Sequence, residues 1–131
     1  MTDRSKVLAA LSALSHETRL DLVRLLMPCG AEGMAAGQIG QNLGLAASRL
    51  SFHLSAMEHA GLIRSRKSAR NVIYSVDRGG IGRTISYLLN DCCMDHPDVL
   101  AACVQGGGNG LETGLQQEPH QPPSPDGIVK T

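Results

Sequence analysis

Residues 35–61 read AAGQIGQNLGLAASRLSFHLSAMEHAG, and the architecture turns on them. Ile39 and Leu43 stand four residues apart, so they share one face of a short helix, and Gly44 supplies the left-handed backbone that a sharp turn needs. Beyond the turn, Leu50, Leu54 and Met57 recur at i, i+4 and i+7 and form the apolar stripe of a second helix. Ser48, Arg49, Ser51, Phe52 and His53 fall elsewhere around that helix, near its start. Hydroxyls and free backbone N–H groups at a helix N-terminus suit phosphate, and longer side chains there suit base edges in a major groove. The pattern is a helix-turn-helix, and those five residues are its candidate DNA contacts.

The next sixteen residues strengthen that assignment. Residues 62–77 read LIRSRKSARNVIYSVD, in which Leu62 and Ile63, then Val72, Ile73, Tyr74 and Val76, flank Arg64, Arg66, Lys67 and Arg70. Two β-prone runs around a basic tip predict a hairpin. Directly after a recognition helix, such a hairpin is a wing whose Arg66, Lys67 and Arg70 can follow the DNA backbone or enter the minor groove.

Composition bounds the rest. Only Phe52, Tyr74 and Tyr87 are aromatic among 131 residues, so the interior is built of Leu, Ile, Val, Ala and Met, as in a mainly α domain carrying one hairpin. No apolar run approaches the ~18 residues of a membrane span, and MTDRSK lacks the apolar stretch of an export signal, which predicts a cytoplasmic protein. The formal net charge of zero conceals a division. Residues 1–83 hold eleven Lys and Arg against six acids, whereas residues 84–131 hold one Lys against six acids. A basic front and an acidic back suit a DNA reader with a separate sensing or pairing half.

Ahead of the helix-turn-helix, Val7, Leu8, Leu11 and Leu14 predict a first helix, and HETRLDLVRLLM predicts a second, capped by Ser15 and closed at Pro28. Cys29 to Gly33 read as a loop. After the wing, Ile81 to about Asp95 predicts a last long helix that breaks near Pro97. Ile81, Ile85, Leu88, Leu89 and Cys92 step along one of its faces, a seam that fits pairing with a second copy. A homodimer formed through the first and last helices would set two recognition helices one DNA turn apart, ~34 Å, on a palindromic operator.

The cysteines are Cys29, Cys92, Cys93 and Cys103. Cys92 and Cys93 are neighbours at the end of the expected last helix, and nine residues separate Cys93 from Cys103, which is within reach across the Pro97 break. Three sulfurs suit a thiophilic, three-coordinate ion such as arsenite or antimonite, while a hard cation wants oxygen and structural zinc wants a fourth ligand. Cys92, Cys93 and Cys103 are therefore the candidate ligands. Cys29 is read as a bystander.

SALSHETRLDLVRLL, QIGQNLGLAASRLSFHLSAMEHAGLI and RSRKSARNVIYSV together resemble the arsenical-repressor (ArsR/SmtB) family of winged-helix regulators, over residues 5 to about 95. The resemblance implies a homodimeric repressor that leaves its operator when an ion or oxidant reaches its sensing residues. On that pattern Ser48, Arg49, Ser51, Phe52 and His53 contact DNA, with Arg66, Lys67 and Arg70 on the wing. The C-V-C arsenite box of the family is absent, since MAAGQIGQNLG has no cysteine, and the last-helix zinc pattern is missing because His96 stands alone. A C-C pair with a third Cys downstream is similar to arsenite sensors with a C-terminal trithiolate, although this chain spaces the third residue widely. If only two thiols act, a methylated trivalent arsenical, a persulfide or an oxidant fits instead.

Residues 105–131 hold six Gly and four Pro with few apolar residues, so a disordered tail is expected after a domain spanning 1–104. His120 stands there without partners. No Gly-rich phosphate loop, nucleophile elbow or paired-carboxylate signature is present, which argues against an enzyme, and no organic cofactor is implied. A soft-metal-binding thiol protein without a DNA function is the remaining alternative.

Overall fold

The computed structural model describes residues 3–109. Its elements run α1 (Asp3–Leu14), α2 (Glu17–Leu26), a 3₁₀ segment (Met27–Glu32), β1 (Met34–Ala35), α3 (Ala36–Leu43), α4 (Ala47–His59), β2 (Ile63–Ser68), β3 (Asn71–Val76), α5 (Arg78–Tyr87), a π turn (Leu88–Cys92) and α6 (Pro97–Asn109). The chain divides into two units, Met1–Leu88 and Leu89–Thr131.

The first unit is a winged helix-turn-helix, as expected. Gly44 adopts φ 66° and ends α3 in the left-handed region, which turns the chain towards α4 without the penalty a Cβ would bring. Leu22 and Leu26 of α2, Ile39 of α3, Leu50, Leu54 and Met57 of α4, and Leu62, Ile63 and Val76 of the wing are buried together. The apolar periodicity thus closes on a single core, and burial of such side chains contributes about 1.5–3 kcal/mol each.

The wing is a sheet of order β1-β3-β2, antiparallel throughout. Ile63 pairs with Val76, Ser65 with Tyr74 and Lys67 with Val72, so Lys67 and Arg70 lie at the tip end while the buried Ile63–Val76 pair anchors the base. β1 is an addition to the expected hairpin: Met34 pairs with Tyr74 and Ala35 with Ile73, giving a third, two-residue strand. Such a strand is too short to show any alternation in sequence.

Several local expectations are corrected. His16, not Ser15, caps α2, its Nδ1 accepting from the Thr18 amide at 3.1 Å. Where Cys29 to Gly33 read as a loop, residues 27–32 hold two short 3₁₀ turns that meet at a kink at Gly30 (φ 60°, ψ −150°), with Pro28 in the first. The expected helix from Ile81 to Asp95 keeps α geometry only to Tyr87 and then widens into the π turn. Met94 and Asp95 take φ 52° and 54°, conformations that end helical hydrogen bonding ahead of Pro97. Within the second unit the chain resumes as α6, capped by His96, whose Nδ1 accepts from the Asp98 amide at 3.1 Å. Residues 105–109, expected in the tail, belong to α6. Residues 110–131, including His120, lie outside the described residues.

Candidate nucleic-acid interface

α4 turns two unlike faces outward and inward. Ser48, Arg49, Ser51 and Phe52 are exposed, Phe52 to 65%, whereas Leu50, His53, Leu54 and Met57 are buried. The N-cap of α4 is Ala46, and no side chain caps it, so the first amides of the helix meet no competing acceptor there. Unsatisfied N–H groups at the positive end of a helix, flanked by Ser48 and Arg49, form a ready phosphate contact.

His53 corrects the expectation that it contacts DNA. It is 3% exposed and lies three residues after Leu50 and four before Met57, inside the apolar stripe. Its Nδ1 accepts from Arg19 Nε at 3.1 Å. Burial, followed by the charges of His16, Arg19 and Arg49, pushes its pKa below the ordinary value of 6.5, so the imidazole is neutral near pH 7. Arg19, which sequence reasoning did not single out, also donates through Nη1 to the Ala13 carbonyl at 3.3 Å, and its guanidinium sits 5.5 Å from the centre of the Phe52 ring. The signal that could have found this pairing was the i+3 spacing from Leu50 to His53, which puts a polar group in a core stripe where it must find a partner.

The wing carries its cations in two ways. Lys67 and Arg70 are exposed at the tip end. Arg66 is also exposed, but its Nη2 donates to the Glu32 carbonyl at 2.9 Å and ties β2 to the 3₁₀ segment. On the α4 side, Ser65 Oγ donates to Glu58 Oε2 at 2.7 Å and so joins the end of the recognition helix to the wing. Helix and wing are thus held as one surface. Burial and then the Glu58 carboxylate raise the Tyr74 pKa above 10.0, so its phenol adds no charge to this surface.

The thiols lie on other segments. Cys29, in the 3₁₀ segment, donates through Sγ to the Leu25 carbonyl at 3.6 Å, which gives it a local structural partner. Cys92 is exposed at the end of the π turn, Cys93 is half-buried, and Cys103 is exposed on α6; all four are free thiols. Among the described residues no three His, Cys, Asp or Glu side chains are disposed to hold one ion. Cys92 and Cys93 are thus adjacent along the backbone, and Cys103 is not brought to them as a third ligand.

A helix-turn-helix domain family matches residues 14–66, from the end of α1 to the middle of β2. The HTH-type transcriptional regulator YgaV of Escherichia coli is 38% identical over 85 residues, which cover 65% of this chain and 84% of that protein. The chain belongs to the helix-turn-helix transcriptional regulators. This is a family of regulators, not of enzymes. The structure of reduced HlyU from Vibrio cholerae is 28% identical with a TM-score of 0.54, covering 69% of this chain and 92% of that one. The homodimeric winged helix-turn-helix DNA-binding domain of Mb0332 from Mycobacterium bovis, a possible ArsR-family regulator, shares the fold at 19% identity and a TM-score of 0.57, covering 87% and 88%. This regulator therefore has a winged helix-turn-helix architecture. No helix among its described residues is long and apolar enough to cross a membrane.

Proposed function

We propose that this regulator is a transcriptional repressor that grips operator DNA as a homodimer and lets go when trivalent arsenic or antimony is captured by the cysteine thiolates that begin with Cys92 and Cys93, between α5 and α6 in the chain. The observation that carries the DNA half is the uncapped start of α4, with Ser48, Arg49, Ser51 and Phe52 exposed on the helix and Lys67 and Arg70 on the wing. Dimerisation is supported by an apolar strip. Leu8 and Leu11 of α1 and Ile85 of α5 are 58%, 37% and 50% exposed, and the two helices pack on each other. An isologous contact there would bury surface that is otherwise wetted, and the Mycobacterium bovis domain of the same fold is itself homodimeric.

Cys92 and Cys93 come five and six residues after the end of α5 in the chain, so an effector bound to them would act on the pairing helix through that short connection. A coupling of about 1–3 kcal/mol between ion and DNA sites is enough for release. A second reading is favoured by the separation of Cys103 from the pair: two thiolates alone suit a methylated arsenical, a persulfide or an oxidant, and HlyU has been solved in a state specified as reduced.

The experiment is a titration of the protein–DNA complex with sodium arsenite and, separately, with sodium polysulfide. The duplex is one selected from a randomised pool by the full chain. Arsenite is expected to weaken binding about tenfold or more, and Cys92→Ser/Cys93→Ser to abolish the response. Release by polysulfide but not arsenite assigns the dithiol reading. Undiminished release from a protein lacking Cys92, Cys93 and Cys103 contradicts both.

A further inference from the structure

The recognition helix is joined to the two helices before the turn by a polar joint that neither a core nor a DNA-contacting role explains. Arg19, on α2, reaches three groups at once: the Ala13 carbonyl at the end of α1 through Nη1, the buried Nδ1 of His53 through Nε, and the exposed Phe52 ring, over which its guanidinium carbon lies 5.5 Å from the centre. The His16 ring, at the cap of α2, lies 4.6 Å from the His53 ring, and the Phe52 ring lies 5.4 Å from it at 65°. Arg19, His16 and Phe52 therefore surround His53 on α4. Phe52 and His53 are consecutive, so they diverge by about 100° around the helix. Fixing both fixes the rotation of α4 about its own axis, and with it the direction in which Ser48, Arg49 and Ser51 face.

We propose that Arg19 is a positioning residue for DNA reading: by holding neutral His53 and lying over Phe52, it sets the rotation of the recognition helix, and protonation of His53 releases that hold. The inference rests on the DNA-reading function proposed above and specifies what makes that reading selective. Because Nδ1 accepts from Arg19, the ring proton of neutral His53 is on Nε2. A second proton must go to Nδ1, where it meets the Arg19 N–H; the hydrogen bond is lost and two cations face each other.

The groups acting on His53 are His16 and Arg19 from α2 and its cap, and Arg49 on α4 itself; α1 meets the joint through the uncharged Ala13 carbonyl. None is an acid that would hold the added charge. The folded pKa lies below the unfolded value of 6.5, so the unfolded chain binds more protons between the two. The joint is therefore complete above about pH 6.5 and is lost as pH falls through the lower, folded pKa.

The test compares a duplex selected from a random pool by the full chain with an unselected duplex, from about pH 7.5 to about pH 5.5. For the wild type, the ratio of the two affinities is expected to fall about tenfold across that range while affinity for the unselected duplex falls less. His53→Gln, which offers a neutral acceptor at every pH, flattens the profile. Arg19→Lys, which keeps the charge and loses the planar fork, lowers the ratio about tenfold at the upper pH with the melting transition retained. Without DNA, Arg19→Gln raises the titration midpoint of the His53 ring read by NMR. Wild-type discrimination in Arg19→Lys, a profile in His53→Gln as steep as in the wild type, or an unmoved His53 midpoint overturns the inference. A wild type that prefers no duplex, with the midpoint shift intact, contradicts DNA reading and leaves the joint standing.

Discussion

Gly80→Ala is expected to destabilise the first unit by about 3 kcal/mol, seen as a fall in the urea midpoint with an unchanged slope. A Cβ built on Gly80 runs into the Gly61 carbonyl, at the turn that leads from α4 into β2. Backbone cannot swing aside as a flexible side chain does, so α5 would have to move off the core. The control lies two residues on. Gly82 sits on the same helix with nothing within 4 Å of an added Cβ, and Gly82→Ala is expected to be neutral or to stabilise by up to about 1 kcal/mol through helix propensity. Equal effects at the two positions would show that close approach at Gly80 does not decide where α5 lies. The contrast also concerns assembly, because α5 carries Ile85 of the exposed apolar strip.

Removing Arg49, Lys67 and Arg70 together, as alanines, is expected to weaken DNA binding about a hundredfold or more at moderate salt. The three are exposed, one on the recognition helix and two on the wing, so their loss leaves the core as it was. Each phosphate contact contributes about 0.9 to the slope of log affinity against log salt, so three per protomer lower the slope of a dimer by about 5. Arg66→Ala should behave differently. Its guanidinium is engaged with the Glu32 carbonyl, so its removal loosens the wing and lowers stability by about 1 kcal/mol, with a smaller change in slope. A triple variant with the wild-type slope would remove helix and wing from the interface.

Much of this architecture was legible in the chain because its signals are local. The Ile39 and Leu43 pair, Gly44, and the Leu50, Leu54 and Met57 stripe determine two helices and the turn between them, and the β-prone runs around Arg64 to Arg70 determine the hairpin. The misplaced features depend on tertiary partners. His53 reads as polar, and polar residues near the start of a recognition helix suggest DNA, yet its place in the stripe turns it inward to Arg19, thirty-four residues earlier. His16 and His96 carry no capping signal in sequence because a histidine is not among the preferred caps, and only the ring geometry reveals that each accepts from the amide two residues on. The last helix misled for a similar reason. The apolar steps from Ile81 to Cys92 persist through the π turn, and periodicity alone does not register the widening of a helix at Leu88 or the positive φ of Met94 and Asp95.

These differences bear on sensing. A continuous helix to Asp95 would have carried Cys92 and Cys93 on a regular surface, with Cys103 folding back in a loop. Instead Cys92 ends a π turn, Cys93 follows it in a turn, and Cys103 is exposed on a separate helix. A three-sulfur site would require these segments to meet, whereas a two-sulfur site requires only the neighbours. The arsenite and polysulfide arms of the titration separate those chemistries.

DNA reading by a two-fold dimer is tested at its root by selecting duplexes from a randomised pool with the full chain and sequencing the survivors. An exposed α4 and wing on such a dimer predict enrichment of an inverted repeat whose half-sites are centred about one helical turn, ~10 base pairs, apart. Recovery of unenriched sequence would contradict it.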